Sequence, residues 1–234
     1  MPPPAIVNDM ADLVLGRQCL GCDTPAPGIC VACLNRLRGR VITLPGHDRC
    51  TISVTGYDGL GRQLVLAYKE RGYLSLAMPL GWLLADSVWA AMQSCGLREA
   101  VIVPVPGHRR SRRGFDALGA VTCEAVRALR GAGIDLTQER LLTSRSNYPA
   151  LKGLGRAARR SEISGAFTAV ARTAIRQCVI VVDDVITTGA TIDEAVTTLE
   201  RARVEVAAVA TIAATASPGR WARIPAPSPA TRPS

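Results

Sequence analysis

Two adjacent carboxylates, Asp183 and Asp184, are the residues best placed by type and spacing to do chemistry. They follow the apolar run 179–182 and precede a turn of small and hydroxyl-bearing residues, namely Thr187, Thr188, Gly189, Ala190 and Thr191. Backbone N–H groups and hydroxyls in such a turn, with the positive end of a following helix dipole, suit a phosphate monoester. The acids would repel that phosphate and instead suit vicinal sugar hydroxyls. The open alternative is an ordinary strand-to-helix turn in which the aspartates only cap.

The flanking pattern predicts the elements that position these acids. Four β-branched residues in succession at 179–182 predict a strand buried on both faces, as in a parallel sheet, which ends at the acids. Helical spacing at 192, 195, 196 and 199 predicts a helix there, and Thr191 with Glu194 fits a capping box. Further strands are predicted at 51–57 (exposed or edge), 101–107, 139–143, 165–168 and 204–213, and helices at 60–68, 77–92 and 116–129.

A basic loop follows the strand predicted at 101–107. Its guanidinium groups belong to Arg109, Arg110, Arg112 and Arg113. Because ligands of open α/β sheets bind outside the carboxyl ends of the strands, we expect this loop to face the Asp183 turn. There it would neutralise a diphosphate or nucleic acid phosphates; a solvated charge run is the alternative. The basic stretch 144–162 is expected to be a mobile cover over the site.

Two C-x-x-C pairs lie close together near the N terminus. They supply Cys19, Cys22, Cys30 and Cys33, and seven residues rich in Gly and Pro separate the pairs. Four thiolates at this spacing would complete a tetrahedral structural zinc site, and we expect such a closed site to hold the segment together rather than to catalyse. A redox pair or four incidental thiols are the alternatives. The other cysteines, Cys50, Cys95, Cys123 and Cys178, are expected to be buried or incidental.

Composition limits the classes of function. The chain has 234 residues, a formal charge of +9 and 4% aromatic residues, which favours phosphorylated ligands or nucleic acid but not base stacking on aromatic platforms. No uninterrupted apolar segment reaches the ~20 residues that span a bilayer, and the N terminus lacks a signal-peptide pattern, so we expect a cytoplasmic protein. We predict a zinc-binding segment at 1–45, an α/β domain at 46–216 and a disordered Pro-rich tail at 217–234.

These motifs together resemble the ComF family. The resemblance rests on the cysteine pairs, the Lys69-Glu70-Arg71-Gly72 segment, Val103-Pro104-Val105-Pro106 with Arg112-Arg113-Gly114-Phe115, and the Asp183-Asp184 turn. It implies a type I phosphoribosyltransferase fold with a central, mostly parallel sheet and an N-terminal zinc knuckle of four cysteines. It also implies that Asp183 and Asp184 contact ribose hydroxyls, directly or through magnesium, and that residues 187–191 cradle the 5-phosphate. The Arg109 to Arg113 loop and Lys69 would lie near the diphosphate of phosphoribosyl diphosphate.

The family pattern is not matched everywhere. Asp116 and Ala117 follow Gly114-Phe115 where the family has Asn and Gln, and Ala150 and Glu162 stand where Gln and Asn are expected. These changes alter the hydrogen-bond donors around the acceptor site. The main hypothesis is transfer of phosphoribosyl to a nitrogenous base. The alternative is a non-catalytic competence factor for DNA uptake that binds single-stranded DNA or a DNA helicase.

Overall fold

The computed structural model describes residues 18–39, 41–44, 49–107, 116–145, 163, 165–170, 177–215 and 222–224. Its helices are α1 (Val31–Leu37), α2 (Gly59–Arg71), α3 (Ala77–Ser94), α4 (Ala117–Gly131) and α5 (Ala190–Arg201), with a 3-10 turn at Leu74–Leu76. Its strands are β1 (Val41–Thr43), β2 (Cys50–Gly56), β3 (Glu99–Pro104), β4 (Asp135–Gln138), β5 (Leu142–Ser144), β6 (Phe167–Ala169), β7 (Val179–Ile186), β8 (Val206–Ala214) and β9 (Ala222–Ile224).

A mostly parallel sheet forms the centre of the described structure. Its strand order is β4-β3-β7-β8-β2-β1-β9, and the run from β4 to β2 is parallel throughout. β1 pairs antiparallel with β2 and with β9, and β5 and β6 form a separate antiparallel pair. The predicted mixed α/β architecture with a mostly parallel sheet is therefore confirmed. Because β3 and β7 are parallel neighbours, their carboxyl ends open on the same edge of the sheet.

Helices cover the two faces of the sheet unequally. α3 packs on β2 and β8 and against α4, and Gly81 allows the two helices to approach closely, because a Cβ at that position would lie 2.4 Å from Glu124 Cβ. α5 lies on the other face against β6, β7 and β8. Side chains of β7 alternate between the layers, with Ile180 and Val182 in one apolar cluster and Val179 and Val181 in the other. This two-faced burial explains the unbroken apolar run.

β2 differs from its prediction. The alternation at 51–57 predicted an exposed or edge strand, yet β2 lies between β8 and β1 and its interior is buried. The hydroxyls of Thr51, Ser53 and Thr55 are buried as well, and each donates to a nearby main-chain oxygen at 3.2–3.3 Å. A strand with alternating polar residues can thus lie in the core, because each of its buried hydroxyls has a hydrogen-bond acceptor nearby.

Other boundaries also shift. β7 continues through both aspartates to Ile186, because Asp183, Val185 and Ile186 keep their register with β8. β4, a four-residue strand, was not predicted, and part of the predicted disordered tail forms β9 on the β1 edge. The Thr191–Glu194 capping box is wrong: Gly189 is the N-cap, and Glu194 Oε1 instead accepts from Gly165 N at 2.8 Å.

α3 and the preceding turn have the composition of a membrane span. Among the described residues, Leu74–Ser94 is long and apolar enough to cross a bilayer by length and composition, although no such stretch was predicted. However, 67% of that window is buried inside the protein. It also contains Asp86, a buried carboxylate that pairs with Arg38. These features are those of a core helix of an α/β domain.

Candidate functional site

The two predicted acids lie near the carboxyl end of β7, in the middle of the sheet. Asp184 is buried and Asp183 is half-buried. Asp183 pairs in register with Thr211 on β8, and its Oδ1 accepts a hydrogen bond from Asp184 N at 2.8 Å. The strand thereby carries two successive carboxylates just before the turn that leads into α5, and the Asp184 carboxylate is the one that pairs with Lys69. The sequence predicted this order of strand, acids, turn and helix, but it ended the strand at the acids.

Lys69 joins this site from another part of the chain. α2 ends at Arg71, and Gly72 terminates it in the left-handed conformation with φ 75°. Lys69 therefore lies in the last turn of α2, where its Nζ forms an ion pair with Asp184 Oδ2. The structure brings Lys69 together with the acids, but its described partner is a carboxylate of the protein itself.

The Lys69–Asp184 pair borders a small cavity between α2, α4 and the sheet. The cavity has a volume of about 10 Å³, and its other lining residues are mostly apolar: Val65, Tyr68, Leu80, Ala117, Leu118, Val121 and Ile212. A space of this size holds about one water molecule. A sugar cannot enter it. Any ribose bound by the aspartates must therefore approach from the open, carboxyl-end edge of the sheet.

The charges at this site shift one another's protonation. Burial and then the neighbouring Asp184 raise the pKa of Asp183 well above its usual range, although Lys69 opposes this. For Lys69, burial alone would lower the pKa, but the Asp184 and Asp183 carboxylates outweigh it and the pKa is raised. The ammonium therefore stays charged at neutral pH. It supplies a permanent positive charge beside two acids.

The turn at 187–191 connects β7 to α5. Gly189 is the N-cap of α5 and has φ 80°, a left-handed conformation that favours glycine. It has no side chain with which to cap the helix, and the contact from Ala190 N to Thr188 Oγ1 is long, 3.5 Å. No side chain of the N-cap residue therefore occupies the first-turn N–H groups of α5. Such a terminus attracts anions.

A basic loop was predicted to complete the site. Arg109, Arg110, Arg112 and Arg113, like the basic stretch 146–162, lie outside the described residues. The described chain before the loop runs to Gly107, and Val105 N donates to Val182 O at 2.9 Å. The chain thus leaves β3 next to the strand that carries the aspartates. Contact between these arginines and a ligand bound at the aspartates stays a prediction.

The four predicted metal-ligating cysteines do come together. The Sγ atoms of Cys19, Cys22, Cys30 and Cys33 all lie within 4.8 Å of one another. Main-chain N–H groups donate to these sulfurs, from Gly21 and Cys30 to Cys19 Sγ at 3.4 and 3.3 Å, and from Cys33 to Cys30 Sγ at 3.4 Å. N–H···S bonds of this kind stabilise thiolates and orient metal ligands. The donor set and spacing fit a four-coordinate metal ion.

The cysteine segment is part of the main core. Cys19, Ile29, Cys33 and Leu34 belong to the same apolar cluster as α2 and α3, and a Cβ on Gly28 would lie 2.8 Å from Leu76 Cδ2. Arg38, directly after α1, also donates to both carboxylate oxygens of Asp86 on α3, at 2.8 and 2.7 Å. A metal ion in this segment would therefore stabilise the docking of α1 on the α/β domain.

Several residues at the site were missed by sequence reasoning. Thr215, just past β8, donates from its hydroxyl to Thr187 O at 3.1 Å and from its N–H to Ile186 O at 2.9 Å, so it holds the turn from the neighbouring strand. Thr211 is fully buried opposite Asp183, and its hydroxyl has no hydrogen-bond partner among the described residues. The sequence could have indicated these two threonines only through their position toward the carboxyl end of β8.

Comparison with known proteins adds little beyond these observations. A scan against protein-family models and a search of the curated proteins find no match. Among solved structures, the chain is similar to hypoxanthine-guanine phosphoribosyltransferase from Schistosoma mansoni in complex with IMP. The identity is 16%, the TM-score is 0.34, and the match covers 60% of this chain and only 56% of that chain. At these values the likeness says nothing about ligand or activity.

Proposed function

We propose that this protein binds phosphoribosyl diphosphate through the aspartates of β7 and the turn at 187–191. The observation that carries the proposal is the joint position of Asp183, Asp184 and the N terminus of α5 at one open edge of a parallel sheet. Carboxylates accept hydrogen bonds from vicinal ribose hydroxyls. The N–H groups at a glycine-capped helix N terminus donate hydrogen bonds to the 5-phosphate. Both groups occur in one ligand, a ribose 5-phosphate derivative.

The charges around the aspartates support a diphosphate at C1 of that ribose. Lys69 supplies one cation. The loop that follows β3 in the sequence supplies four more, from Arg109, Arg110, Arg112 and Arg113. The diphosphate is strongly negative and would lie beside two carboxylates, so it requires a further positive charge. Magnesium bound with the diphosphate would supply that charge. Guanidinium groups favour phosphate because their planar fork donates two parallel hydrogen bonds.

The reaction supported best is transfer of the phosphoribosyl group to a nitrogenous base, as in a ComF-like phosphoribosyltransferase. The bond between ribose C1 and the diphosphate oxygen breaks, and a bond from C1 to the base nitrogen forms. Positive charge develops on the sugar and negative charge on the leaving diphosphate. The protein's contribution would be positioning and electrostatic stabilisation by its aspartates and basic groups. A cytoplasmic location stays our prediction.

The four-cysteine cluster is proposed to bind zinc in a structural role. With four sulfur ligands the ion has no open position for water or substrate, so it would stabilise the fold rather than catalyse. The contact of this segment with the main core supports that role. Metal analysis of the purified protein tests it directly, and we expect close to one zinc ion per chain.

A second candidate is a non-catalytic factor for DNA uptake that binds single-stranded DNA or a DNA helicase. The formal charge of +9 favours it, since an excess of basic groups attracts nucleic acid backbones. Ionic strength distinguishes the candidates. Binding through many phosphate contacts weakens steeply with salt, whereas binding of one small ligand in a defined site depends more on magnesium.

The double variant Asp183→Asn with Asp184→Asn tests the assigned ligand site. We expect it to lose binding of phosphoribosyl diphosphate while its zinc content stays unchanged. The matched control is Asp135→Asn with Glu205→Gln, which also removes two carboxylates, but from exposed positions at the other edge of the sheet. Unchanged binding by the first variant, or equal loss in both, would refute the assignment.

A further inference from the structure

Two cysteines outside the predicted zinc cluster meet at the amino-terminal edge of the sheet. Cys50 is the first residue of β2, and Cys95 directly follows α3 as its C-cap. α3 packs lengthwise on β2 and β8, so its end lies near the beginning of these parallel strands. The Asp183 site lies at the opposite edge, where the same strands finish. Neither the proposed ligand site nor the four-cysteine cluster uses these two thiols.

The register of the sheet brings the two side chains to one place. Cys50 lies opposite Ala208 on β8, and the Cys95 thiol donates to Ala207 O at 3.7 Å. Both side chains are half-buried and pack against the same apolar cluster. The electrostatics agree with this placement, because burial first and then the neighbouring Cys50 thiol raise the pKa of Cys95 to about 11. Two free thiols therefore lie at the same place on β8, near the surface.

We propose that Cys50 and Cys95 form a redox-active dithiol, a modification site that a peroxide converts into a disulfide. The bridge would join the end of α3 to the beginning of β2. Both sulfurs belong to elements that already pack together, so the cross-link requires no rearrangement of the sheet order. The site lies apart from the aspartates of β7, and the proposal does not depend on the proposed function.

The chemistry balances with hydrogen peroxide as the oxidant. The Cys50 thiolate attacks one peroxide oxygen, the O–O bond breaks, and hydroxide leaves and takes up a proton to become water. The Cys95 sulfur then attacks the resulting sulfenic sulfur, the S–S bond forms, and the sulfenic oxygen leaves as a second water. Two thiols are oxidised by two electrons in total, and one peroxide is reduced to two waters. Cys50 attacks first because the raised pKa of Cys95 keeps that thiol protonated.

Peptide mapping tests the proposal on the purified full chain. Trypsin cuts after Arg49, Arg62, Arg71 and Arg98, which leaves Cys50 in peptide 50–62 and Cys95 in peptide 72–98, each with a single cysteine. After brief treatment with hydrogen peroxide and blocking of free thiols, we expect the linked pair 50–62/72–98 as the main cross-linked species. Its mass should be two hydrogens below the sum of the two peptides, and reduction should release both.

Two further cysteine peptides serve as internal controls. Cys123, an exposed thiol, lies in peptide 114–127, and Cys178, whose pKa is raised by burial, then Glu205 and then Cys95, lies in peptide 177–201. The variant Cys123→Ser should leave the cross-link unchanged, whereas Cys95→Ser should abolish it and leave Cys50 as a sulfenic or more oxidised acid. A main product that links 72–98 to 177–201, or no linked 50–62/72–98 when Cys123 is already oxidised, would overturn the proposal.

Discussion

The cysteine cluster and the acidic site of β7 are assembled in different ways. All four sulfurs come from residues 19–33, and short turns with α1 bring them within 4.8 Å of one another. Asp184 instead takes its ion-pair partner, Lys69, from α2, a helix that lies far earlier in the sequence than β7. The first site follows from local spacing. The second exists only once α2 and the sheet have packed together.

Removal of one cysteine ligand should have the largest effect on stability. Cys22 is exposed and makes no core contact, so Cys22→Ser tests metal binding rather than packing. We expect loss of bound zinc and a decrease in the free energy of unfolding of roughly 4 kcal/mol, measured by urea denaturation. The control Cys123→Ser, also an exposed thiol, should keep its metal and stability. Equal stability and metal content of the two variants would contradict a structural metal site.

The ion pair that ties the cysteine segment to α3 should come next. The Asp86 side chain is 7% exposed and accepts two hydrogen bonds from Arg38. Arg38→Met leaves that carboxylate buried without its cation, and we expect a loss of about 2–3 kcal/mol in unfolding free energy. The double variant with Asp86→Leu should recover most of the loss. If it is no more stable than Arg38→Met, the charge of Asp86 is not the cause.

Lys69→Met tests the acidic site of β7, which takes its ion-pair partner from a distant part of the chain. It leaves Asp184 beside an apolar cavity without its cation, but the Lys69 side chain is 43% exposed and water screens the pair. We therefore expect only about 1 kcal/mol of destabilisation at pH 7, together with unchanged zinc content. Lys69→Arg should retain most of the stability, since it keeps the charge. A Lys69→Met protein as stable as the parent would show that the pair does not hold α2 to β7.

The pH dependence of stability tests the protonation of Asp183. Because the pKa of Asp183 is raised in the folded state, its contribution to stability is fully present below about pH 4 and is lost as pH rises through the folded pKa. Asp183→Asn removes this loss. Relative to the parent, the variant should therefore gain unfolding free energy between pH 4 and pH 7, measured in urea. A relative loss over that range would contradict the direction of the shift.

Much of the fold was predictable because it follows from local patterns. The apolar run of β7, the helical spacing of α5 and the C-terminal Gly72 of α2 each specify an element within a few residues. The cysteine cluster was predictable for the same reason, since C-x-x-C spacing places two sulfurs on one side of a short turn.

The features that were not predicted depend on distant partners. The sequence of β2 predicts an edge strand because of its polar residues. Their hydroxyls are buried and donate to main-chain oxygens, and the sequence does not reveal these partners. Glu194 accepts a hydrogen bond from Gly165 rather than capping its own helix, and only the packing of β6 on α5 places that N–H there. The pairing of Lys69 with Asp184 likewise depends on the packing of α2. Such contacts arise from tertiary structure, which overrides local preference.

Calorimetric titration of phosphoribosyl diphosphate into the purified chain, with and without magnesium and at two salt concentrations, tests the proposed site most directly. We predict saturable binding that requires magnesium, changes little between the two salt concentrations, and is absent in the Asp183→Asn/Asp184→Asn variant. Absence of binding by the parent protein at either salt concentration would contradict a sugar-phosphate site at β7.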